Sequence, residues 1–169
     1  IDRLYAAGQA GVKISMINPG AFCCLIPGRK GLSENIHAVS IVDRYLEHAR
    51  VFCFHHGGDS KVYLSSADFM NRNLSHRVET AFPIYDPAIK QTLQELLELQ
   101  LQDNTKARLL SNQQANPYFK GGSKLPIRSQ EETYHYLKRK QVQIDMEAEA
   151  NNRMALEASS RQPLATPGK

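Results

Sequence analysis

An α/β fold with a helical C-terminal extension is what this 169-residue sequence predicts. Three observations predict it. Short apolar runs of strand length fall at residues 12–17, 50–54, 61–66 and 77–84, the first with the period-two alternation of a half-buried strand. A helical periodicity takes over after Asp86-Pro87, and a long Glu-, Gln-, Lys- and Ala-rich stretch closes the chain at 129–158. Strands interleaved with helices in this way belong to a sheet with helices packed on it.

The elements follow in order. Residues 2–9 read as a helix closed by Gly8 or Gly11. Since Ile1 to Ala7 already has mid-helix character, the chain is read as a piece of a longer protein. Val12-Lys13-Ile14-Ser15-Met16-Ile17 alternates as a strand, and Asn18-Pro19-Gly20 ends it. A second apolar run from Ala21 to Ile26 stops at Pro27-Gly28. Ser40, with Asp43 three residues on, predicts a helix cap, and Ile41, Val42, Tyr45 and Leu46 supply that helix with an apolar face. Arg50 to Phe54 and Lys61 to Ser66 form a hairpin around His56-Gly57-Gly58-Asp59. A further strand covers Arg77 to Ile84. Asp86 caps a helix with Pro87 at its first position, and Ile89, Leu93, Leu96, Leu97 and Leu101 form its stripe. Residues 104–126 are polar and rich in Asn, Gly, Pro and Ser, an irregular excursion. The last helix is expected to dock early and to become solvated beyond Lys140, with a frayed end from Ser159. The domain boundaries follow: 1–110, an extension over 111–140, and a tail over 141–169.

Composition excludes several classes. No apolar run approaches the roughly 20 residues a bilayer span needs, and no secretory signal opens the sequence. The net charge of +4 is shared equally between the two halves, which favours anionic partners without a basic tail of the nucleic-acid type. Cys23 and Cys24 are adjacent and Cys53 is alone, so a reducing, cytoplasmic location is expected. No Cys/His spacing resembles a metal site, and His55-His56 reads as a loop pair.

Three constellations carry chemistry. Gly28-Arg29-Lys30-Gly31 is a glycine-flanked basic loop, able to wrap anionic oxygens or to be a solvated turn in which Ser33 and Asn35 cap locally. Glu47-His48-Ala49-Arg50 sits at a predicted helix-to-strand junction. On an extended backbone His48 and Arg50 point the same way, which suits phosphoryl binding or proton delivery; the alternative is a half-buried His48 paired with Glu47. The third, Tyr63-Leu64-Ser65-Ser66-Ala67-Asp68-Phe69-Met70-Asn71-Arg72-Asn73, runs from a strand into hydroxyls, an acid and Arg-Asn. It is either a ligand-facing strand end or a strand exit in which Ser66 or Asp68 caps a short helix.

In sequence order, Leu32-Ser33-Glu34-Asn35-Ile36, Tyr45-Leu46-Glu47-His48-Ala49-Arg50-Val51-Phe52, Gly57-Gly58-Asp59 and Tyr63 through Asn73 closely resemble the last catalytic-core domain of bacterial polyphosphate kinase. The resemblance runs from about Leu4 through Leu110, more weakly to Leu137. It implies one half of a phospholipase D-like fold, a mixed β-sheet flanked by α-helices. It also implies reversible transfer of the terminal phosphate of ATP to polyphosphate through a phosphohistidine that lies, with the Mg2+-binding arginines, in an upstream domain. His48 then falls at the second-half histidine of the nucleotide site, the catalytic residue expected here, and Arg50, Arg29 and Lys30 are the expected phosphate contacts. No metal ligand is expected in this segment. ATP or ADP and polyphosphate are the implied partners, nucleic acid is not, and the intact protein is implied to be a homo-oligomer. Peripheral membrane association is left open.

Two departures stand out. Pro19 occupies the place of a family Arg that contacts ATP, and a proline neither binds phosphate nor donates a backbone hydrogen bond. Either Arg29 or Lys30 substitutes, or nucleotide binding is weakened, or this stretch is atypical in sequence. The phospholipase D signature itself, His-x-Lys with a later Asp, is replaced by His48, Arg50 and His55. This half is therefore expected to bind and orient, and to be inactive alone. The rival readings are a phospholipase D-like phosphodiesterase half and a non-catalytic anion-binding module.

Overall fold

The structure, a computed structural model, describes residues 1–18, 25–111, 115–121, 123 and 125–160. The chain divides at Gln130 into two units. The first holds α1 (Asp2–Gln9), β1 (Ile14–Ile17), β2 (Ile36–Ile41), β3 (Val51–Phe54), β4 (Lys61–Ser65), α2 (Asn71–His76), β5 (Ala81–Ile84), α3 (Pro87–Leu101) and β6 (Ala107–Leu110). The long α4 (Ser129–Ser160) starts at its end and makes up the described part of the second. The α/β class and the C-terminal helix are as expected. The strands, however, form two three-stranded sheets in place of one mixed sheet.

The first sheet is ordered β1-β2-β6, with β1 parallel and β6 antiparallel to β2. Its centre is β2, because Ile36, Ala38, Val39 and Ile41 are all buried. Val39, Ile41 and Ala107 form the core, against which Ile17, Leu101 and Phe119 pack. Each fully buried Val or Ile here contributes about 1.5–3 kcal/mol. The second sheet, β3-β4-β5, is an antiparallel meander whose one buried side chain, Val62, sits on the middle strand. Gly57 and Gly58, at φ 65° and 100°, make the β3–β4 turn in backbone regions that side chains avoid.

Local signals held where they were strongest. Asp86 accepts from the Ile89 amide at 2.9 Å and Pro87 opens α3. Gly11, at φ 93°, follows α1 as its left-handed exit. The strands expected over 12–17 and 77–84 shorten to β1 and β5.

Three expectations are corrected. No helix follows Ser40: Ser40 and Ile41 are the last residues of β2, paired with Arg108 and Ala107. A helix started there would forfeit that ladder and the burial of Ile41, while Val42, Tyr45 and Leu46 stay exposed on an irregular segment, 42–50. Within the supposed excursion after Asn104, Ala107–Leu110 is a strand, because β2 offers it a free edge. Helix α2 does form, but after Met70 and without a cap from Ser66 or Asp68. The Pro19-Gly20 turn, the apolar run over 21–24 with Cys23 and Cys24, and the chain end beyond Ser160 lie outside the described residues.

Candidate functional site

His48 stands at the end of the irregular segment, exposed, and not inside an apolar interior. It follows coil, not the helix expected there. Arg50 immediately precedes β3, and its carbonyl accepts from the Ser65 amide at 3.0 Å, which extends the hairpin ladder by one bond. The extended backbone puts the two side chains together, as the i, i+2 spacing predicts. The guanidinium donates from Nη2 to His48 Nε2 at 2.7 Å and from Nη1 to the His48 carbonyl at 3.4 Å. Glu47 takes no part in this contact.

This contact gives Nε2 a defined role. Arginine has donors only, so Nε2 must present a lone pair.

On its other edge Arg50 donates from Nε to Asp68 Oδ1 at 2.8 Å. Asp68 follows β4 and is read as a buttress to Arg50 rather than as a helix cap. Its carboxyl is held below the usual range, chiefly by the Arg50 hydrogen bond, with Arg50, His48 and Arg72 adding charge attraction against burial. Arg72 is exposed and close enough to Asp68 to act on it electrostatically. Behind the pair, Glu79 accepts from Ser66 Oγ and, at 2.8 Å, from Asn73 Nδ2. These two hydrogen bonds hold Glu79 below the ordinary carboxylate range. Asn73 is 2% exposed, and its Oδ1 has no hydrogen-bond partner among the described residues.

The basic loop is built differently. Gly28 N–H donates to the Ser33 carbonyl, Arg29 N–H to Ser33 Oγ, and Leu32 and Ser33 N–H to the Arg29 carbonyl. The buried Ser33 hydroxyl donates to the Ile26 carbonyl. With those amides consumed, the loop is a capped turn and not a cradle of free N–H groups. Arg29 and Lys30 project from it into solvent. No hydrogen bond or ion pair among the described residues joins them to His48 or Arg50.

The segment that carries His48 has supports of its own. Asp43 accepts from Arg128 Nε at 2.7 Å and Nη2 at 2.8 Å, with Lys106 Nζ at 4.0 Å. The Arg128 hydrogen bond, against burial and with the charges of Arg128 and Lys106, holds the Asp43 carboxyl below its usual range. Tyr45 N–H donates to Gln130 Oε1 at 2.9 Å, and Gln130 Nε2 donates back to the Tyr45 carbonyl at 2.7 Å. Ser129 is pinned in turn by Asp103. Asp103 Oδ2 accepts from the Ser129 amide and hydroxyl at 2.7 and 2.8 Å, and Oδ1 accepts from the amides of Thr105, Lys106 and Ala107. Burial alone would raise that carboxyl; the hydrogen bonds from Lys106, Ser129 and Ala107 outweigh it and leave it lowered.

No group of three or more His, Cys, Asp or Glu among the described residues is arranged to hold a metal ion. None of the described helices is long and apolar enough to cross a membrane.

The chain resembles known proteins over most of its length. The family model described as "Polyphosphate kinase C-terminal domain 2" matches residues 1–130. A polyphosphate kinase of Vibrio parahaemolyticus is 49% identical over 138 residues, which is 82% of this chain and 20% of that protein. The polyphosphate kinase of Escherichia coli K12 is 46% identical over the same shares. A crystal structure of polyphosphate kinase from Porphyromonas gingivalis superposes with a TM-score of 0.79 at 45% identity, over 84% of this chain and 22% of that one. The chain thus spans about a fifth of the length of the curated relatives it matches.

Proposed function

The chain belongs to the polyphosphate kinase family, through that family's second C-terminal domain, and on that premise we propose that it forms part of the nucleotide and polyphosphate site of such an enzyme. The reaction is reversible transfer of the terminal phosphate of ATP to polyphosphate, through a phosphohistidine on the remainder of the protein. The same remainder would hold the Mg2+ that neutralises phosphate charge. The working enzyme is a cytoplasmic homo-oligomer. The segment is organised as the domain over 1–110, the family extension over 111–140 and the tail over 141–169.

The observation that supports this reading is the contact from Arg50 to His48 Nε2 at 2.7 Å, with Asp68 behind Arg50 at 2.8 Å. Arg50 is a forked donor suited to phosphate oxygens, and Asp68 holds its orientation. In the resting geometry Arg50 occupies the Nε2 lone pair. An arriving phosphate oxygen competes for the guanidinium, draws Nη2 away, and frees Nε2 to take a proton from solvent. The imidazolium then donates that proton to the oxygen that leaves when the terminal phosphoryl group departs. Transfer of this kind depends on positioning and charge neutralisation more than on covalent work by this half. Arg29 and Lys30, exposed on their turn, serve as outer cations for the polyphosphate chain.

His48→Gln in the whole enzyme tests the reading. Glutamine keeps the polar volume but cannot deliver a proton from a titratable ring. Synthesis is expected to fall by about 10²–10⁴-fold, the range for removal of a general acid, with the fold unchanged. A near-normal rate would contradict the assignment.

A further inference from the structure

We propose that Gln130 is a positioning residue for His48, acting through the backbone of Tyr45. The proposal rests on the reading of His48 given above. Residues 42–49 join β2 to β3 with no backbone-to-backbone hydrogen bond among the described residues. Nor does an apolar anchor hold them, since Val42 is 71% exposed, Tyr45 64% and Leu46 84%. A segment with neither ladder nor buried apolar side chain takes its position from its polar attachments.

At the far end Arg50 holds His48 itself; the attachments of the near end converge on residues 128–130. The Arg128 fork grips Asp43, and the Gln130 amide grips both polar groups of the Tyr45 backbone. Gln130 is itself buried, and only one orientation of its amide satisfies both bonds: oxygen toward the Tyr45 N–H, nitrogen toward the Tyr45 carbonyl. Its neighbour Ser129 is fixed to Asp103, in the turn between α3 and β6. Position therefore passes from the sheet edge, through Asp103, Ser129 and Gln130, to Tyr45. Three residues further on is His48, a reach of roughly 10 Å for extended backbone. Loss of the Gln130 clamp loosens the near end of that arm, and a misplacement of about 1 Å at a reacting group costs up to about 10²-fold in rate.

The test is a double-mutant cycle in the whole enzyme, with Gln130→Ala, His48→Gln and the pair assayed for ATP-driven polyphosphate synthesis. Gln130→Ala is expected to lower kcat about tenfold or more while KM for ATP changes by less than about threefold. In the His48→Gln background the same substitution is expected to change kcat by less than about twofold, because the group it positions is gone. Gln130→Glu keeps the acceptor for the Tyr45 N–H and loses the donor to the carbonyl, so its rate should fall between those of the alanine variant and the parent. If the alanine variant does not fold, this glutamate variant carries the same cycle. Equal losses in both backgrounds, or no loss of kcat, would overturn the positioning role while leaving His48 in place. A near-normal His48→Gln enzyme would overturn the reading of His48 and this proposal with it.

Discussion

Asp103→Asn should loosen the junction of β6 and α4 by an amount that follows from its hydrogen bonds. The Asp103 side chain is fully buried and its two oxygens accept five donors. Asparagine has one acceptor oxygen. Its best placement keeps that oxygen on the amides of Thr105, Lys106 and Ala107 and turns the NH2 group toward Ser129. The Ser129 hydroxyl can rotate to accept, but its backbone N–H is left buried without an acceptor, which costs about 1–3 kcal/mol. The three remaining bonds also lose their charge assistance. Together the local loss is about 3 kcal/mol, at the lower end of what breaking a buried charged network costs. Hydrogen exchange followed by mass spectrometry reads this locally, even in a protein of several domains. Segments covering 104–110 and 127–130 should exchange about a hundredfold faster. The parent protein should show the same loosening in acid. The folded carboxyl lies below its usual value of about 3.9, so its contribution is complete above that pH and is lost as pH falls through the lower folded value. Exchange within twofold of the parent at neutral pH would refute the reasoning, because Asp103 would then be no anchor.

Arg50→Lys keeps the charge but has a single nitrogen, which cannot hold Asp68 and His48 Nε2 together; kcat/KM for ATP should fall about tenfold, and a value within twofold of the parent would count against the fork. The purified 169-residue chain alone should show no ATP-to-polyphosphate transfer, since the phosphorylated histidine is assigned elsewhere; robust turnover by it would end that division of labour.

What the sequence discloses depends on how far apart the deciding residues lie. Asp86-Pro87 and the glycines at 57 and 58 act within a few residues, so α3 and the hairpin were legible from local chemistry. Ser40 with Asp43 has the same local look, yet Asp43 spends its carboxylate on Arg128, 85 positions away, while β6 claims the Ser40 backbone. Strand β6 itself is four residues inside a polar stretch and exists because β2 has an unfilled edge. In the site, His48 and Arg50 were legible because a two-residue spacing on extended backbone needs no tertiary information. Asp68 was visible as an acid at a strand exit, but its role as the counter-charge of Arg50 depends on the hairpin bringing the two strand ends together. Gln130 fell in the weaker part of the resemblance and carried no signal of this role: a glutamine at a helix start is ordinary until the chain folds and Tyr45 arrives beside it.

A structure of the whole enzyme with a non-hydrolysable ATP analogue bears most directly on the proposed site. The expected result is a phosphate oxygen within hydrogen-bond reach of both His48 Nε2 and the Arg50 guanidinium, with the 2.7 Å contact between those two groups opened. A nucleotide seated elsewhere, with that contact still closed, would contradict it.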